Sequence, residues 1–351
     1  MLKNVGKRSG TFAACVIRED KMSDLKITVY NYRDFDEAAF FEKFAGQYGA
    51  EIVICREAPN PENARLAEGC VGVSVITTAI TEDIIRVWKE MGVRHISTRT
   101  IGYDHVDLQS AEKYGITVSN VSYSTGSVAD YAVMLILMAL RKMKMIMKRA
   151  DGMDYSLKGS IGRQIGGLTV GVVGTGKIGE HVIHNLSGFG CRILASDPYE
   201  KDSVKKYAQY VDRDTLFRES DVITFHVPAV DGTHHIVCRE TIEKMKDGVV
   251  LVNTARGSVI NTMDLIDALE SGKVGAAALD VVENELGIFY GDYKYTVIGH
   301  REMSILKDMP NVLMLPHMAF YTENAVSDMV EHSIASIALE AKGDKSPFRV
   351  G

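Results

Sequence analysis

The chain has 351 residues, 46% hydrophobic and 25% charged, with a formal net charge of −6. Such a make-up suits a globular protein of two domains whose core needs no disulfide or structural metal. The acidic balance argues against nucleic-acid binding, no run reaches the ~18–20 apolar residues of a membrane span, and five scattered cysteines without a CxxC pair argue against a zinc site and for a reducing compartment.

Met1 to about Lys21 is a basic preamble with neither a periodic pattern nor the apolar stretch of a signal peptide. Residues 1–22 read as a flexible extension, with Met22 as an alternative start. From Leu25 onward short apolar runs alternate with helical patterns. Strands are predicted at Lys26–Tyr30, Ile52–Ile54, Val71–Ile76, Ile116–Val118, Thr169–Val173, Arg192–Ala195, Val222–Phe225, Val249–Val252, Ala276–Leu279 and Val312–Leu315. Helices are predicted at Glu37–Tyr48, Glu82–Glu90, Ser127–Arg149, Ile178–Phe189, Met263–Ser271 and about Thr322–Lys342. Apolar strands separated by helices imply parallel sheets covered on both faces. Ten strands are too many for one such sheet, so the chain divides. The long helix from Ser127 joins two α/β units, and the last helix can return to the first.

The strongest motif follows the strand Thr169–Val173. Gly174-Thr175-Gly176-Lys177-Ile178-Gly179 fits a dinucleotide loop, in which the first glycine allows the tight turn, the second the approach of a pyrophosphate, and the third close helix packing. The following helix offers free N–H groups and a positive dipole end to phosphates. The next strand ends at Asp197, where a carboxylate would accept from ribose hydroxyls and repel the extra phosphate of NADP, so the expected cofactor is NAD. Read blandly, the same residues are a glycine-rich turn and a helix-capping Asp; the strand–loop–helix–strand–acid context outweighs that.

Three later strands end in polar residues on one sheet edge: Asn253-Thr254-Ala255-Arg256, then Asp280 with Glu283 and Glu285, then Pro316-His317. Open parallel sheets bind ligands beyond the carboxyl ends of their strands. A guanidinium can grip a carboxylate and polarise the adjacent carbonyl. A histidine can donate a proton as hydride arrives, and a nearby carboxylate orients it and favours its cation. Each residue alone is more simply a surface, loop or capping group; their coincidence with the nucleotide fingerprint reverses that balance. His234 and His235, after the turn at Asp231-Gly232, read as surface. His181 and His184 share a helix face without a third ligand, and no metal site is expected.

These residues resemble the D-isomer-specific 2-hydroxyacid dehydrogenases, particularly the D-lactate dehydrogenases and the vancomycin-resistance branch. The likeness covers nearly everything after the preamble and is carried by Ser97–Asp107, Asn120–Ser124, Val170–Gly179, Phe225–Pro228, Asn253–Gly257 and Pro316–Thr322. It implies two Rossmann-like, doubly wound α/β domains with an interdomain cleft. Residues 23–122 plus 322–351 would form the substrate domain and 123–321 the NAD-binding domain. It also implies that Arg256 binds the substrate carboxylate and carbonyl, that His317 is the acid/base and that Glu285 pairs with it. Backbone at Ile101-Gly102 would take the carboxylate, with Tyr123 and Phe320 beside the substrate. Asp280 would lie near the nicotinamide carboxamide, Lys177 and Ile178 at the pyrophosphate, and Val227, Pro228, Thr233, Thr254 and Ala255 along the cofactor. Met318, where the D-lactate branch often has Thr, and Ser156–Leu157, near a dimer contact of some relatives, depart from the pattern.

The expected function is reversible hydride transfer between NADH and a small 2-keto acid, foremost pyruvate/D-lactate, by a cytoplasmic homodimer without membrane or nucleic-acid partners. Two alternatives remain at this level: a dehydrogenase for bulkier aromatic or branched 2-keto acids, and a non-catalytic NAD(H)-sensing regulator on the same fold.

Overall fold

Parallel strands need long crossovers, and helices supply them here. The computed structural model describes residues 25–350, so the expectation for residues 1–22 lies outside the described residues. The first sheet contains β1 (Lys26–Val29), β2 (Glu51–Ile54), β3 (Gly72–Val75), β4 (His95–Thr98) and β5 (Thr117–Ser119). The second contains β6 (Thr169–Val173), β7 (Arg192–Ser196), β8 (Gln209–Tyr210), β9 (Val222–Phe225), β10 (Val249–Asn253), β11 (Val274–Leu279) and β12 (Val312–Met314). A final short strand, β13 (Arg349–Val350), returns to the first sheet and pairs antiparallel with β5.

The strand orders are β13-β5-β4-β3-β1-β2 and β12-β11-β10-β9-β6-β7-β8. Both reverse direction beside their first strand, and that switch point opens a crevice at the carboxyl ends of the strands. Apolar clusters cover both faces of each sheet. Leu194, Leu216, Phe217 and Leu251 lie on one side of the second and Val172, Ile183, Val222 and Val252 on the other. In the first, Trp88 and Ile96 oppose Ile27 and Phe41. The helix Glu323–Ala341 packs on β3 and β4, whereas Gly126–Leu140 packs on β10 and β11. None of the helices among the described residues is long and apolar enough to cross a membrane.

Several elements differ from the sequence reading. The single helix predicted over Ser127–Arg149 is two, Gly126–Leu140 and Met143–Asp151, broken where Lys142 turns left-handed at φ 53°. The ammonium of Lys144 donates to the carbonyls of Lys307, Met309 and Val312, tying the second helix to a different neighbour. The helices Leu108–Lys113 and Arg301–Asp308 and the strands β4, β8 and β13 were not predicted.

The polar strand β4 is buried because its side chains find partners. The His95 ring is bonded to Thr117 Oγ1 (2.5 Å) and Ser119 Oγ (2.8 Å) on the adjacent strand. Burial pulls the pKa of His95 from 6.5 down to about 4. Between those values the unfolded chain binds a proton that the folded chain refuses. Stability is therefore lost as pH falls from 6.5 towards 4, with no further loss from this group below that. Denaturant titrations across this window should give a shallower pH dependence for His95→Gln than for the parent chain; equal slopes would remove His95 from the acid response.

Candidate active site

The loop after β6 has the geometry of a phosphate cradle. Gly174 adopts φ 91°, and a Cβ there would collide with the carbonyl of His226; one on Gly179 would strike the carbonyl of Gly174. Gly176 faces open space at the start of the helix Lys177–Leu186, where free N–H groups and the dipole favour an anion. Asp197, just past β7, accepts from Thr175 N (2.7 Å) and Tyr199 N (2.8 Å) and lines a cavity of about 600 Å³ with Gly174, Val227 and Thr233. Thr254 Oγ1, buried without a partner, lies on the wall of the neighbouring cavity with Ile178. An open glycine cradle, a carboxylate at the next strand and an orphaned hydroxyl fit a dinucleotide.

That neighbouring cavity, about 470 Å³, lies between the two sheets. Arg256, Glu285, His317, Ile101, Gly102, Tyr123 and Phe320, predicted from five separate stretches of sequence, all line it. Arg256 is held at two of its three nitrogens: Nη1 donates to Ala255 O (2.8 Å) and Nε pairs with Asp104 (3.5 Å). Its Nη2 lies so close over Gly102 that a Cβ there would have to push the guanidinium aside. The guanidinium fork and the Ile101–Gly102 backbone therefore converge on one point, the arrangement that takes a carboxylate.

His317 follows β12 in a left-handed conformation, φ 54°. Three contacts hold it there: its N–H donates to Asp280 O (2.8 Å), Tyr290 Oη donates to its carbonyl (2.8 Å), and its Nδ1 meets Glu285 Oε1 at 2.5 Å. Glu285 is fixed in turn by the Val282 N–H on Oε2 (2.7 Å). With Nδ1 engaged, Nε2 is the ring nitrogen left to exchange a proton.

Asp280 is wholly buried. Its carboxylate accepts from Met318 N and Ala319 N at 2.9 Å each, so the geometry gives it the task of shaping the loop that carries His317. Burial raises its pKa despite those two bonds. Thr175 also turns inward, bonded to Tyr210 Oη, and Thr233 closes its own turn on Val230 O and Pro228 O. Lys177 and Pro228 are exposed near the glycine loop, and Ala255 is buried beside Arg256.

Further cavity residues escaped the sequence reading: Ile76, Asp104, His105, Tyr290 and Met329, whereas Glu283, read there among the carboxylates after β11, lines the cavity too. Asp104 and His105 stand inside the motif that supplied Ile101-Gly102, and that proximity was the available signal. Burial lowers the His105 pKa to about 4, and its Nε2 has no partner. His181 and His184 point to different neighbours, Thr125 Oγ1 and the Tyr207 ring. His235, read as surface, is half-buried and bonded to Glu283, because its partner lies 48 residues away in sequence.

A Rossmann sheet with an open glycine cradle, beside a cavity holding a guanidinium and a carboxylate-bound imidazole, defines a nicotinamide-dependent dehydrogenase of small carboxylic acids. The family model "D-isomer specific 2-hydroxyacid dehydrogenase, NAD binding domain" matches residues 133–319. The chain is 42% identical over 315 residues to a D-specific alpha-keto acid dehydrogenase of Enterococcus faecium, covering 89% of this chain and 96% of that one. It is 37% identical over 330 residues to an aromatic 2-oxoacid reductase of Clostridium sporogenes, covering 93% and 99%. A crystal structure of a D-lactate dehydrogenase from Treponema pallidum superposes with a TM-score of 0.84 at 32% identity, covering 93% and 100%. The chain belongs to the D-isomer-specific 2-hydroxyacid dehydrogenase family. It is an NAD-dependent oxidoreductase of 2-keto and D-2-hydroxy acids.

Proposed function

We propose that the chain reduces a small 2-keto acid, foremost pyruvate, to its D-2-hydroxy acid, and that the reaction runs in reverse at the same site. The observation that carries this is the convergence of Arg256, the Ile101–Gly102 backbone and the His317–Glu285 pair on one cavity. Arg256 and the backbone hold the carboxylate and polarise the keto oxygen. His317 Nε2 gives that oxygen its proton, and in the oxidative direction takes it back. Glu285 keeps the ring oriented. Bound NADH supplies the hydride.

The remaining assignments are of the same kind. Residues 23–122 and 322–351 form the substrate domain and 123–321 the cofactor domain. Asp197 selects NAD by accepting from the ribose, and Gly174, Thr175, Gly176, Lys177, Ile178 and Gly179 hold the pyrophosphate through backbone and helix terminus. Val227, Pro228, Thr233, Thr254 and Ala255 flank the cofactor, and Asp280 acts on the nicotinamide end through the His317 loop. A homodimer is supported by an exposed apolar strip, Met153, Tyr155, Leu157 and Ile161, on one surface segment. A cytoplasmic setting is supported by the free thiols of Cys55, Cys70, Cys191 and Cys238.

A second substrate reading has its own support. Ile76, Tyr123, Phe320 and Met329 pack together and give the cavity an apolar wall, suited to a larger side chain than a methyl group. With NADH as reductant, kcat/KM for pyruvate, phenylpyruvate and 2-ketoisocaproate decides between them. We expect pyruvate to lead; phenylpyruvate or 2-ketoisocaproate ahead by tenfold or more, roughly 1.4 kcal/mol, would make the bulkier acid the substrate.

A further inference from the structure

We propose that His235 and Glu283 form a positioning pair that keeps the Arg256 loop in place to receive the substrate carboxylate, an inference that rests on the role given to Arg256 above. His235 Nε2 lies 2.6 Å from Glu283 Oε1. The other carboxylate oxygen accepts from both the N–H (2.9 Å) and the hydroxyl (2.6 Å) of Thr262. One side chain thus joins the segment after β9, the start of the helix Thr262–Glu270 that follows β10, and the segment after β11.

The clamp reaches the residues that follow Arg256. The His235 N–H donates to Ser258 O (2.8 Å), two residues beyond Arg256, and Asn261 Nδ2 approaches His235 Nδ1 at 3.4 Å. Gly257 rests against the Val282–Glu283 backbone, where any Cβ would collide. The Glu283 carbonyl is itself held by His300 Nε2 (2.7 Å). His235 adopts φ 48°, a conformation a non-glycine residue keeps only when its surroundings fix it. These contacts brace the backbone that follows Arg256, while Asn253 Nδ2 holds the Arg256 carbonyl itself (2.8 Å). Neither residue donates to or accepts from His317, so the pair acts on carboxylate binding and leaves proton delivery to others.

The test uses the full chain with His235→Ala, His235→Gln, Arg256→Lys and the His235→Ala/Arg256→Lys double variant. Because misplacing a binding group by about 1 Å can cost up to ~10²-fold, His235→Ala should raise KM for the keto acid and Ki for oxamate, a non-reacting mimic, by about 10-fold or more. NADH affinity should stay within about twofold, and kcat should fall less than KM rises. His235→Gln, whose amide can still donate to Glu283, should restore most of the loss. In the Arg256→Lys background the His235→Ala effect should shrink below about twofold, since coupled residues do not add. Unchanged oxamate affinity in His235→Ala, or losses that multiply fully in the double variant, would overturn the pair while leaving the Arg256 reading intact. Near-normal kinetics in Arg256→Lys alone would overturn both. Should His235→Ala fail to fold, Glu283→Gln supplies the same comparison, with the same two outcomes deciding it.

Discussion

Replacing His317 by Ala should slow keto-acid reduction by roughly 10²–10⁴-fold while leaving NADH binding nearly intact. The ring lines the same cavity as Arg256, with Nδ1 bound to Glu285 and Nε2 left to exchange a proton. Without it the keto oxygen must take its proton from water, and the fork of Arg256 alone has to stabilise the developing charge. Glu285→Gln keeps the shape of that partner and removes its charge, so it should lower kcat/KM by a smaller factor. The two losses should not add. Once the ring is gone, Glu285 has nothing left to orient, and the double variant should be little worse than His317→Ala. Fully additive losses would separate the two residues and break the proposed mechanism.

The second large effect is at Arg256. Arg256→Lys preserves the positive charge and loses the planar fork, so turnover should fall on the order of 10²-fold, comparable with removing a donor aimed at a developing oxyanion. The guanidinium already spends Nη1 on Ala255 O and Nε on Asp104, which fixes its plane over Gly102. A lysine ammonium, a point charge on a flexible stem, cannot satisfy those contacts and a carboxylate together. NADH affinity should change little, because the glycine cradle lies on a different strand end. Retention of near-normal kcat/KM would remove Arg256 from substrate binding.

Residues that lie immediately past apolar strands were legible in the sequence, because a parallel sheet has one functional edge. Gly174, Asp197, Arg256, Asp280 and His317 all follow strands whose hydrophobicity announced them. What stayed hidden depended on partners distant in the chain. β4 is polar in sequence and buried in space because His95 finds Thr117 and Ser119 on β5. Asp104 meets Arg256 across the cleft, and His235 meets Glu283 across three loops; neither contact leaves a local spacing to read. The break at Lys142 was equally opaque, since Arg141-Lys142-Met143 has ordinary helix propensity and the ties of Lys144 to carbonyls near β12 act from outside the helix.

Stereospecific hydride transfer to a 2-keto acid is tested most directly by following the wild-type chain with NADH and pyruvate, phenylpyruvate and 2-ketoisocaproate, and resolving each product on a chiral column. We expect one NADH oxidised per keto acid consumed and the D-enantiomer as the sole product; an L-product, or no NADH oxidation with any of the three acids, would contradict it.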